Sequence, residues 1–241
     1  MMRFMVVKAI LAGSPVDLDA LVDAFREGDP RVVADDDGYY LTSAEFDGLS
    51  NGSEFSQAAS SMLQGINGVA RALDGSYRPV SLAGRFVDGS GITHVVAPPD
   101  TAEARDHALP PVIRGELGQS VAGPPGPAYF ELAKTSPDVA KAQAILGKPL
   151  ASLDWYDLYK LYEIVRRAAG GDGGLESKGW AGKKELSSFR ISANHPDLSG
   201  EDARHAVMGN QAPSYSTSLA EGRALISRLM IAWWDELDAA T

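Results

Sequence analysis

The sequence predicts an α+β fold: an N-terminal, mostly antiparallel sheet with two helices on one face, followed by a C-terminal helical bundle of about four helices. Three observations carry this. Short β-type runs divided by Asp-Gly turns mark residues 1–117, long helical apolar stripes mark 129–241, and between them Gly118 to Pro127 (GQSVAGPPGP) suppresses helix and sheet alike. The expected organisation is an α+β domain over 1–117, a Pro/Gly linker over 118–128 and a helical domain over 129–241.

Met2 to Leu11 is apolar on both alternating faces, as a central strand requires. Asp17 is the expected cap of a helix carrying Leu18, Leu21, Val22 and Phe25 on one face and ending near Gly28 and Pro30. Arg31 to Ala34 and Tyr39 to Thr42 flank Asp35-Asp36-Asp37-Gly38, a hairpin signal. Those aspartates lack the alternating spacing and distal glutamate of a calcium loop. From Ser53, a helix places Phe55, Ala59, Met62, Leu63, Ile66, Val69 and Leu73 at three- and four-residue steps up to Asp74-Gly75. Gly65 and Gly68 inside it each cost about 1 kcal/mol against alanine, so close packing by a neighbour is the expected compensation. Runs at 79–87, 92–97 and 112–117 complete the sheet.

In the second half, an amphipathic piece spans Pro137 to Leu146. Ser152 is the expected cap of LDWYDLYKLYEIVRRAA, whose Trp155, Leu158, Tyr159, Tyr162 and Val165 form one stripe. These rings could stack bases, but a bundle core explains them without a ligand. GGDGG at 170–174 reads as a flexible break. A shorter helix covers Lys183 to Ala193 and stops before His195-Pro196. Capping boxes at Ser199 and Ser218 open a short helix and a long last one with Leu225, Ile226, Leu229, Met230, Trp233 and Leu237 on its face.

The 241 residues carry a net charge of −10, of which residues 1–128 hold −8 (9 Lys+Arg against 17 Asp+Glu). Broad DNA binding is therefore disfavoured, although the near-neutral second half leaves RNA open. With no cysteine, disulfides, thiol catalysis and thiolate metal sites are excluded. The four histidines, His94, His107, His195 and His205, lack metal-ligand spacing, so neither metal nor cofactor is expected. No apolar run is long enough to span a bilayer, and Met1 to Leu11 lacks a leader's cleavage pattern; a cytoplasmic, bacterial chain is the expectation. Phosphate-cradling, dinucleotide and nucleophile-elbow motifs are missing.

Candidate chemistry concentrates in Arg190, Asn194, His195, Arg204 and His205. Arg190-Ile-Ser-Ala-Asn-His195 has the spacing of the arginine and histidine in HEPN helical-bundle nucleases, and the last 90 or so residues resemble that family. The resemblance implies metal-independent RNA cleavage with histidine moving a proton and arginine stabilising the phosphorane, in a toxin or anti-phage context, or a degenerate relative without activity. A structural alternative pairs the arginines with acids and uses Asn194 and His195 to cap the helix end. Lys178, Lys183, Lys184 and Arg190 against Glu185 form a basic run, either a solvated face or a phosphate-facing patch. Trp233 and Trp234 are adjacent, so one should turn from the core, which makes Trp234 a candidate interface anchor.

Well-patterned helices without a specific catalytic motif favour a non-enzymatic interaction or regulatory protein, with a protein partner or homo-oligomer. The alternatives are the HEPN-like RNase and a small-molecule sensor with a pocket between the two parts.

Overall fold

In the computed structural model, residues 7–36, 38–96, 125–195 and 216–241 are described. The first half gives β1 (Lys8–Ala12), α1 (Pro15–Phe25), β2 (Arg31–Asp35), β3 (Gly38–Thr42), α2 (Gly52–Leu73), β4 (Ser81–Val87) and β5 (Thr93–Val95). The strands pair antiparallel in the order β2-β3-β1-β4-β5. That order puts β1 at the centre, as its two apolar faces require. Ala9 stands opposite both Leu41 and Phe86, and these side chains join Leu18, Leu21 and Phe25 of α1 and Phe55, Met62 and Ile66 of α2 in one buried layer. By strand alternation their neighbours Ile10 and Tyr40, register partners, point the other way.

The second half gives α3 (Gly126–Thr135), α4 (Pro137–Leu146), α5 (Trp155–Ala168), α6 (Asp172–Ser177), α7 (Lys183–Asn194) and α8 (Leu219–Asp238). These are six helices among the described residues, in keeping with a helical second half for which about four were expected; α3 and α6 are the additions. The aromatic stripe of α5 is core: Trp155 and Tyr162 pack on Phe189 of α7 at 5.8 and 5.4 Å.

Several sequence expectations move by a few residues. Asp17 does not cap α1. Ser14 takes that position ahead of Pro15, and the Asp17 carboxylate accepts the Arg78 N–H at 2.9 Å, tying α1 to the segment before β4. Asn51, not Ser53, caps α2, its Oδ1 accepting the Ser53 and Glu54 N–H groups at 3.1 Å. Asp154, not Ser152, caps α5 by accepting the Asp157 N–H at 2.9 Å. The Ser218 capping box is present. The end of the expected linker is helical, because Gly126 and Pro127 open α3, where a first-turn proline costs no hydrogen bond. GGDGG combines a turn at Gly170 and Gly171, both at positive φ, with the start of α6. The strand at 112–117, the Ser199 box and residues 118–124 lie outside the described residues.

α2 joins the two halves. Its buried residues belong to the same continuous cluster as the sheet and as α3, α4, α5 and α8. Gly68 explains how close it comes to α4: a Cβ there would lie 2.0 Å from the Gln143 carbonyl oxygen. One Cβ on Gly65 would lie 2.9 Å from the Phe130 ring. Two arginines, Arg71 buried and Arg223 partly buried, then hold the α4–α5 connection. Arg71 of α2 donates to the Leu146 and Lys148 carbonyls, and Arg223 of α8 donates to those of Leu150 and Leu153. Burial lowers the Arg71 pKa to about 10, so it remains a cation at neutral pH.

Candidate functional site

Arg190 projects from the last turns of α7 into an ion-pair centre organised by Asp172. Its Nη1 reaches Asp172 Oδ2 at 2.6 Å, while Arg166 Nε and the Tyr162 hydroxyl donate to Oδ1 at 2.6 and 2.5 Å. Burial pushes the Asp172 pKa up, but the Tyr162 and Arg166 hydrogen bonds and the Arg190 charge outweigh it, leaving the carboxyl below its ordinary value. Asp172 therefore stays ionised and holds three elements together. Asn194 turns its amide nitrogen back to the Arg190 carbonyl at 2.6 Å, capping the helix end. His195 follows as the C-cap residue at 2% exposure, its N–H donated to Ile191 O at 3.0 Å. This is the structural alternative weighed above for Arg190 and Asn194. Arg204 and His205 lie outside the described residues, as does His107.

The basic run is dispersed. Lys178 pairs with Glu236 and stands 5.2 Å over the Trp180 ring, and Glu185 pairs with Arg228 at 2.6 Å. Lys183 and Lys184 remain exposed in the first turn of α7. Trp234 is no exposed anchor: it is 0% exposed, packed at 5.7 Å on Tyr129, with Trp233 buried beside it. Adjacent tryptophans can both be buried because α8 has neighbours on two sides, α5 on one and α2 with α3 on the other.

A site that sequence reasoning missed lies elsewhere, as an open groove of about 640 Å³ between α2, α3, α4 and the 3-10 turn Ala44–Phe46. One wall is the strip Gln57, Ser61 and Gln64, exposed on α2; small residues such as Ala133, Ala140 and Ala144 make the other. The rim carries Glu45, Glu54 and Lys134, with Lys134 Nζ held 3.1 Å from Glu45 and 2.8 Å from Glu131. The floor includes Gln143, 1% exposed, whose Nε2 donates to the Tyr129 carbonyl at 2.7 Å. Its Oε1, which would lie 3.3 Å from a Cβ on Gly65, accepts no hydrogen bond from the described residues. Hydrogen bonds from Ser50 hold the Glu54 pKa below its ordinary value, and those to Glu131 and Glu45 raise that of Lys134. Both groups are pushed away from neutrality.

His94 of β5 pairs with Asp88 at 2.9 Å, but the serine nearby, Ser90, donates to that aspartate at 2.7 Å rather than to the histidine. The arrangement closes a turn and lacks the nucleophile-to-histidine bond of a catalytic triad. Among the described residues, no group of three or more His, Asp or Glu is placed to hold a metal, and no helix is long and apolar enough to cross a membrane. Compared with known protein families, curated proteins and solved structures, the chain matches none.

Proposed function

We propose that this protein is a non-enzymatic interaction protein of the cytoplasm and that the α2/α3/α4 groove receives its partner. The observation that carries the reading is the groove's chemistry. General acid–base catalysis calls for a group titrating near the working pH, whereas Glu54 and Lys134 are both driven to stay charged, and among the described residues no histidine or tyrosine lines the groove. Such a surface binds without reacting. Its volume is in the range of ordinary binding clefts, about 300 to 1,000 Å³.

The competing RNase reading rests on Arg190 in the last turns of α7 and His195 just after its end. Against it, Asp172 engages Arg190, and His195 is buried. Chelator-resistant RNA cleavage by the full chain, lost in Arg190→Lys and His195→Ala, would favour it.

The interaction reading is tested by placing a photo-crosslinking side chain at Ser61 in cells of the native host. Discrete protein adducts are expected, and they should disappear when Ala140→Trp fills the groove. Absence of adducts, or adducts indifferent to that filling, overturns the reading.

A further inference from the structure

We infer that the groove is shaped for a short, extended, basic peptide segment of the partner; this rests on the interaction reading above. Gln143 is 1% exposed and lines the groove, and its Oε1 accepts no hydrogen bond from the described residues, so that oxygen is an acceptor to which an occupant can bring an N–H in place of water. The α2 wall says what surrounds that N–H. Gln57, Ser61 and Gln64 are seven residues apart end to end, about 10 Å along a helix, which is the length of about three residues of extended chain. Amides and hydroxyls both donate and accept, as the alternating N–H and C=O groups of a peptide backbone demand.

Charge selects the side chain. Two carboxylates, Glu45 and Glu54, share the rim with one ammonium, that of Lys134, which is already engaged by Glu45 and by Glu131 beside the groove. The held Glu54 remains ionised at neutral pH. Lys134 itself demonstrates the preferred geometry, with its ammonium placed between carboxylates from two elements. The chain's net charge of −10 favours the approach of cations to the molecule as a whole. An arginine suits the site best, because its planar fork of donors matches a carboxylate in two-point geometry.

The test titrates isotope-labelled full-length protein with three probes, following the side-chain amide resonances of Gln57, Gln64 and Gln143. The probes are acetyl-Ala-Arg-Ala-amide, acetyl-Ala-Glu-Ala-amide and butylguanidine, the last supplying the cation without a backbone. The arginine tripeptide should saturate below about 10 mM and bind at least tenfold tighter than either other probe. Glu54→Gln should weaken it several-fold and Ser61→Trp abolish it. Equal binding of the glutamate peptide, no saturation with any probe, or binding untouched by Ser61→Trp overturns the inference. Butylguanidine binding as tightly as the tripeptide overturns the peptide assignment in favour of a small cation. Crosslinked adducts at position 61 that map to segments without Lys or Arg would leave the interaction reading standing and sink this one.

Discussion

Gly68 and Gly65 sit three residues apart on one helix, yet replacing them should have different outcomes. Alanine gains about 1 kcal/mol of helix propensity at either position. At Gly68 the new methyl would meet the Gln143 backbone oxygen at 2.0 Å, which cannot yield without moving α4. Gly68→Ala is therefore expected to destabilise the fold by at least about 1–3 kcal/mol, an overpacking cost. At Gly65 the obstacle is the far end of the Phe130 ring at 2.9 Å, which can swing away, so Gly65→Ala should lie within about 1 kcal/mol of wild type. Urea denaturation of the two variants measures the contrast.

Asp172 supplies the acid-sensitive contact. Its folded-state pKa is below the ordinary value of about 3.9. The stability it contributes is complete above that value and is lost as pH falls through the lower, folded-state pKa. Asp172→Asn should be destabilised at pH 7, and the gap to wild type should close progressively below about pH 4. Denaturation curves at several acidic pH values read this directly; a gap constant with pH would contradict it.

α7 and α8 show how far a helix's sequence reports its surroundings. Trp234 was expected at an interface because a single-faced helix cannot bury two adjacent tryptophans; its burial against Tyr129 reflects a second neighbour, α3, that lies more than 90 residues away in sequence. Trp234→Ala should cost about 3–5 kcal/mol by chemical denaturation, as deletion of a buried indole does. Lys183 is the opposite case. Exposed in the first turn of α7, it opposes the helix dipole, so Lys183→Glu should stabilise by about 0.3–1 kcal/mol, read as a higher melting temperature.

The strands about β1 and the helices α2, α5 and α8 were legible because their apolar residues recur at the period of the element. α3 and α6 were not. One begins inside a proline-rich run and the other inside GGDGG, where composition suggests loop and only packing makes helix. Arg190 and Asn194 were legible as polar residues at a helix end, but their partner Asp172 lay hidden in the glycine-rich break. The groove was invisible for another reason. Gln57, Ser61 and Gln64 read as an ordinary solvated helix face until α4 crosses beside them, and the traces of that crossing in the sequence are glycines, Gly65 and Gly68 of α2 and Gly147 at the end of α4, where a Cβ would lie 2.2 Å from the Gln64 carbonyl oxygen.

The sheet and the helices share one uninterrupted core through α2. They should unfold together. All four tryptophans, at 155, 180, 233 and 234, lie in the second half, so indole fluorescence reports the helices, while a label at the exposed Ile92 would report the sheet. Coincident urea transitions from the two probes are expected, and a sheet that melts first would contradict the shared core.

Gln143 ties the floor of the groove to the core behind it. Its backbone oxygen lies against Gly68, its amide nitrogen holds the carbonyl of Tyr129, and the Tyr129 ring rests on Trp234. The molecule thus carries a built-in optical reporter, wired to the groove floor through two side chains and shielded from solvent. Filling the groove with the arginine tripeptide should change the emission of Trp234, and Trp234→Phe should silence that change while leaving the peptide bound.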